Sequence, residues 1–297
     1  MATSASVCRI GTFLRKGGSR SNWGNLHQRL FPPVMNKTNI NVATLKTMET
    51  NKELNQKGRQ ELAVAYRALE RFGFHEGICN HVTLVVPAAG GSDTVMLLVP
   101  YGIHWSRVKA SSLLALNDQN EIVEGKGKAE ITAACIHRGV HDLREDAKCV
   151  IHTHAPYSTA LALLKNGGLK MVHQNSCRFY KGVAYDDHYN GLAGALEEGE
   201  RIADCMGENS NVLFMKNHGV MVTGNTVAEA FDRMYYLERA CHVQVLAMSC
   251  GEELSVIPDS VAASTFKEFQ NSFVESSADH FSAITDCIMA DMPEVAD

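Results

Sequence analysis

No stretch of this 297-residue chain approaches 18 uninterrupted apolar residues, so the sequence predicts no membrane-spanning helix. None of its nine cysteines, at 8, 79, 135, 149, 177, 205, 241, 250 and 287, belongs to a CxxC pair. That absence argues against paired-cysteine zinc and redox motifs, and the scatter predicts reduced, mostly buried thiols in an intracellular protein. There is no internal repeat and no long low-complexity run. No acidic residue precedes Glu49, although that stretch holds seven basic ones: Arg9, Arg15, Lys16, Arg20, Arg29, Lys37 and Lys46. It also lacks an apolar h-region, which speaks against a secretory signal.

What is present is ordinary for a globular protein. Hydrophobic residues make up 45% and charged residues 21%, and the length suffices for one large domain or two small ones. The formal net charge of -5 gives no nucleic-acid signature. Residues 1–48, basic and serine-containing, read as a leader of the mitochondrial transit-peptide kind, with a disordered basic tail on a cytoplasmic protein as the alternative. Residues 52–251 read as the folded domain and 252–297 as a C-terminal helix and tail.

Within the domain, residues 52–72 predict an amphipathic helix with Leu62, Ala65, Tyr66 and Leu69 on one face. His81–Val86 and Thr94–Val99 predict a hairpin around the turn at 87–92. A second helix is expected over 129–143 and a buried strand over Lys148–His152, then a helix over Pro156–Leu164. Two short strands follow around Asn217-His218, and a long helix runs from Val227 to Cys250. Strands alternating with helices indicate an α/β layered domain. Beyond it, Ala262–Phe273 reads as helical and Ser276 onward as a loose tail.

The strongest local signal is Val150-Ile-His-Thr-His154. Residues i and i+2 of a strand share a face, so His152 and His154 can present imidazoles side by side. A divalent ion needs neutral nitrogens held near it, with each ring oriented by an outer partner. The third candidate ligand is His218, whose neighbour Gly219 would let the backbone turn tightly. Spacing alone leaves two readings open, because a chain with 13 histidines produces an HxH pair by chance often enough. Three histidines without an acidic ligand would leave open coordination positions, as catalysis requires.

These motifs resemble the class II aldolase/adducin family. The resemblance rests on Val150–Tyr157, Leu213–Val220, Glu76-Gly-Ile-Cys-Asn80 followed by His81, and Val99-Pro-Tyr-Gly102, and it extends over about Leu54–Gly251. It implies an α/β/α sandwich around a mostly antiparallel sheet, usually assembled as a homotetramer. It also implies a divalent ion on His152, His154 and His218: zinc first, iron or manganese as alternatives. The aldolases of the family carry a catalytic Glu four residues before a helix histidine. That histidine corresponds to His137, so the acid's place falls on Ala133. Glu130, about one turn nearer the helix start, is the candidate catalytic acid instead, or else only favours the helix N-terminus.

A further resemblance, carried by Cys177–Asp186, Tyr189-Asn-Gly191, Glu198–Arg201 and Met234–Ala240, is to aldolase-like proteins that include the decarboxylases and non-haem iron oxygenases of bacterial aminocoumarin synthesis. The resemblance therefore implies a metal-dependent lyase on a small hydroxy- or keto-acid. A mononuclear iron oxygenase and a non-catalytic adducin-like interaction module are the alternatives. Asn80, Gly102, Tyr157 and Arg178 are the candidate substrate-binding residues, with Tyr180 and His104 behind them. His137 and His141 read as helix packing, His188 as a loop residue, and Glu238 and Arg239 as a solvated or interface face.

Overall fold

The computed structural model describes residues 42–91, 93–192 and 196–297. Residues 1–41, and with them most of the expected leader, lie outside the described residues. The leader's expected boundary at 48 does not hold as a structural boundary, because α1 (Val42–Arg71) already begins within it.

A single eight-stranded sheet, ordered β4-β3-β2-β1-β5-β8-β7-β6, forms the middle layer. Its strands are β1 (His81–Pro87), β2 (Thr94–Leu98), β3 (Leu114–Leu116), β4 (Ile122–Glu124), β5 (Cys149–Thr153), β6 (Val183–Asp186), β7 (Val212–Met215) and β8 (Gly219–Gly224). Every neighbouring pair is antiparallel except β6 with β7. The helices that follow α1 are α2 (Ile131–Leu143), α3 (Pro156–Ala162), α4 (Leu196–Met206), α5 (Val227–Ser249) and α6 (Asp259–Asp291).

Alternation along the central strands sorts the layers. Val82 and Leu84 of β1, Cys149 and Ile151 of β5, and Val220 and Val222 of β8 join a core with α1, α3, α5 and α6. Val150 and Met221 point the other way, into a core with α2 and α4. The result is the expected α/β/α sandwich. The expected face of α1, Leu62, Ala65, Tyr66 and Leu69, is fully buried.

Three expectations fail. The region beyond Ser276 is no loose tail but the second half of the 33-residue α6. Phe281 and Ile288 of that half enter the main core, and Phe281 lies 5.4 Å from the ring of Phe231. Their spacing along a polar helix is too sparse to announce a packed face. Glu238 is not on a solvated face either. It is 2% exposed, and its carboxylate accepts the N–H groups of Tyr157 (2.7 Å) and Ser158 (2.9 Å), which caps α3. Arg239 is exposed, as expected. The thiols are not mostly buried: of the described cysteines, four are buried, while Cys79, Cys250 and Cys287 are exposed. No helix among the described residues is long and apolar enough to cross a membrane.

Candidate metal centre

Strand order brings the predicted histidines together. β5 lies between β1 and β8, with His81 opposite His152 and His152 opposite Met221. His152 occupies the face turned toward α2, and His154 follows just beyond the strand end. His218 arrives from the β7–β8 turn, where its N–H bonds the Met215 carbonyl at 3.1 Å. The left-handed residue of that turn is Asn217 (φ 57°), not the glycine. Gly219 is needed for a different reason: a Cβ there would stand 2.6 Å from the Thr153 carbonyl oxygen and 2.8 Å from the His154 ring.

The three rings converge with centroids 4.7–5.0 Å apart, and one ligand nitrogen from each lies within 4.8 Å of the others. The far side of two rings is tied down. His152 Nδ1 donates to the Val220 carbonyl at 3.0 Å. His154 Nδ1 donates to the Glu76 carboxylate. Both rings therefore turn Nε2 inward, and His154 Nε2 is a buried nitrogen with no partner among the described residues. Burial holds the pKa of His152 well below the ordinary 6.5, reinforced by His81 and His218; burial and then His154 hold His218 down to about 4. His152 and His218 are thus neutral near pH 7, the state a metal ligand must have. An orphaned nitrogen among three converging imidazoles, two of them anchored on their far side, fits a bound divalent ion.

The triad opens into a cavity of about 410 Å³ that Glu130 also lines. Glu130 favours the helix N-terminus and also reaches the cavity. It caps α2, accepting the N–H of Thr132 (3.3 Å) and of Ala133 (2.7 Å) and the Thr132 hydroxyl, and it stands 3.7 Å from His81 Nε2 in the cavity. Ala133 is fully buried in an apolar cluster with Met96, Leu98, Leu114 and Leu116. That position faces away from the cavity and has no use for a carboxylate here.

The expected substrate-binding residues divide. Asn80 is beside the triad: its Oδ1 accepts the His154 N–H at 3.3 Å, and its buried Nδ2 is a donor with no partner among the described residues. Gly102 is a turn glycine (φ 93°), and its neighbour Tyr101 lines the cavity instead. Tyr157 does not line it; its ring stacks on His242 at 3.8 Å. Arg178 lies in a separate cavity under α6, sandwiched between the Tyr236 and Phe269 rings and 3.6 Å from Asp232. Tyr180 shares that second cavity and donates to Asp259. His104 pairs with His75 at 3.1 Å, and His188 is an exposed loop residue. Glu76, His81, Thr83 and Tyr189 do not emerge from the sequence as site residues. Their partners are remote along the chain: the register of β1 places His81 and Thr83, and loops bring in Glu76 and Tyr189.

Residues 60–245 match the family described as Class II Aldolase and Adducin N-terminal domain. A Caulobacter vibrioides protein provisionally called an aldolase class 2 protein is 35% identical over 203 residues, 68% of this chain and 76% of its own length. Human beta-adducin is 31% identical over 256 residues, 80% of this chain but only 34% of the adducin. Among solved structures, an aldolase II superfamily protein from Pseudomonas syringae superposes with a TM-score of 0.75 at 29% identity, covering 82% of this chain and 96% of that one. An L-fuculose 1-phosphate aldolase from Glaciozyma antarctica shares the fold, with a TM-score of 0.69 at 23% identity over 87% of this chain and 96% of that one. The chain belongs to the class II aldolase/adducin family.

Proposed function

We propose that this protein is a divalent-metal-dependent lyase, of aldolase or decarboxylase type, acting on a small hydroxy- or keto-acid. The unpartnered His154 Nε2, facing two further inward-turned imidazoles, carries that reading. His152, His154 and His218 would hold the ion, zinc by preference for an all-nitrogen site. Once bound, the ion would polarise a substrate oxygen and stabilise negative charge developing on it.

The chain's own groups do the rest. Val220 and Glu76 keep the ligand rings turned inward. Asn80 Nδ2 offers a donor to an anionic group beside His154. Glu130, held by the α2 N-terminus, presents a carboxylate oxygen as the proton acceptor of the cavity. Within the family, the sequence resemblance of Cys177–Asp186 and Met234–Ala240 to aminocoumarin-pathway enzymes is the ground for proposing action on 2-oxo or 2-hydroxy acids. It also keeps a mononuclear iron oxygenase as the second reading. The absence of a carboxylate from the ligand set favours the lyase, because the usual iron triad has two histidines and one carboxylate.

Metal analysis of the purified chain, followed by a screen of hydroxy- and keto-acids with zinc, manganese and iron(II), tests this. Zinc or manganese that is lost in His152→Ala, with cleavage of an acid and no O₂ uptake, is the expected result. Iron with substrate-dependent O₂ uptake would replace the lyase by the oxygenase. A chain that takes up no metal would leave the adducin-like interaction module. We further propose a homotetramer, checked by light scattering, and mitochondrial import through residues 1–48. An intact Met1 or Ala2 on protein isolated from cells would end the import proposal.

A further inference from the structure

Behind the triad runs a chain of hydrogen bonds whose direction is set at its inner end. His141 Nδ1 lies 2.6 Å from the Ala147 carbonyl oxygen. A carbonyl only accepts, so this nitrogen carries the proton, and in a neutral ring Nε2 is then bare. His141 Nε2 lies 2.8 Å from Thr83 Oγ1, so the single hydroxyl hydrogen goes there. Thr83 Oγ1 must therefore accept from His137 Nδ1 at 2.7 Å. His137 Nε2 is left bare and takes the Nδ1–H of His81 at 2.8 Å. Each step forces the next, and the last leaves His81 Nε2 without a proton. His141 is held down to about 4 by burial, and His137 and His81, 0% and 4% exposed with their rings edge to face at 4.5 Å, are too little hydrated to carry a charge.

His81 Nε2 lines the same cavity as the triad and stands 3.7 Å from Glu130 Oε2. The hydrogen bonds to Glu130 are all ones its carboxylate accepts. Two acceptors thus face each other across a gap that suits a donor and repels a carbonyl or carboxylate oxygen.

We propose that His81 is a substrate-positioning residue: its Nε2, held as a bare acceptor by the His137–Thr83–His141 chain, receives a hydroxyl of the bound molecule, so the site takes hydroxy-acids over keto- or unsubstituted acids. This rests on the function proposed above and chooses between the two substrate classes left there. Thr83 and His137 act through His81 and touch no substrate.

The test begins with ¹⁵N NMR of the histidine side chains in the full, metal-free chain, which reads the protonated nitrogen of each ring. Wild-type His81, His137 and His141 should all be protonated at Nδ1. Thr83→Val deletes the hydroxyl with little change of volume and should release His81 into a mixture of tautomers; Thr83→Ser should restore the single form. A wild-type His81 protonated at Nε2, or one unchanged in Thr83→Val, overturns the proposal. The second arm is calorimetry on the zinc-loaded chain with lactate, pyruvate and propionate. The advantage of lactate over the other two should fall about tenfold in Thr83→Val and return in Thr83→Ser, the loss of about one hydrogen bond. Equal preference in all three proteins, or no lactate binding, overturns the substrate assignment. The NMR arm needs neither metal nor substrate, so failure to bind zinc would remove the proposed function while the tautomers are judged separately.

Discussion

Replacing Glu76 by Ala should weaken zinc binding about tenfold while leaving the fold intact. Glu76 accepts the Nδ1–H of His154 and so fixes which nitrogen of that ring faces the triad. Its own side chain is 65% exposed, so truncation removes little packing. A hydrogen bond to a charged group contributes ~1.5–3 kcal/mol, and this exposure argues for the low end because water screens the pair. About 1.4 kcal/mol corresponds to a factor of ten in affinity, the lower bound for outer partners of metal-ligating histidines. Glu76→Gln keeps a neutral acceptor and should fall between wild type and Ala. Competition with a chromophoric chelator at neutral pH measures all three, with His152→Ala as the floor. An affinity for Glu76→Ala within about twofold of wild type would refute the reasoning, since Glu76 would then have no part in orienting the ligand.

Stability should fall as the solution is acidified from about pH 6.5 toward pH 4. Burial holds His141 at about 4, against 6.5 when unperturbed, so in that window the unfolded chain binds a proton that the folded chain refuses. That ring alone gives a slope of up to ~1.4 kcal/mol per pH unit, its contribution being fully present above about pH 6.5. Denaturant midpoints that do not move between pH 7 and pH 4.5 would contradict it. Glu130→Ala should cost ~1 kcal/mol through loss of the α2 cap, with zinc present or absent, and should also abolish turnover; a variant of unchanged stability would mean that the cap contributes nothing. Phe281→Ala should cost ~3–5 kcal/mol in chemical denaturation, because the ring is 6% exposed and packs on Phe231. A cost below about 1 kcal/mol would show that α6 does not belong to the core.

Local pattern made much of the fold legible. The α1 face, the hairpin of β1 and β2 and the long α5 all follow from short-range periodicity, which a linear sequence displays directly. Elements whose burial comes from distant partners were harder to read. The second half of α6 buries Phe281 and Ile288 among mostly polar neighbours, so its packing has no clear period. Glu238 is a charge on a helix until α3 is seen to set its amide groups against it. Arg178 resembles a carboxylate clamp until Tyr236 and Phe269 are found on either side of its guanidinium.

By itself, the sequence picked out His152, His154 and His218 as candidate ligands: a spacing of two puts the first pair on one strand face, and the family resemblance carried by the Asn-His-Gly motif adds the third. It also determined the family and the three-layer architecture. Only the tertiary structure decided how those imidazoles are held. Register places His81 opposite His152, α2 lies over Thr83, and Glu76 and Val220 close the outer nitrogens. Which nitrogen carries a proton depends on what lies across from it, and those partners come from strands and helices far apart along the chain.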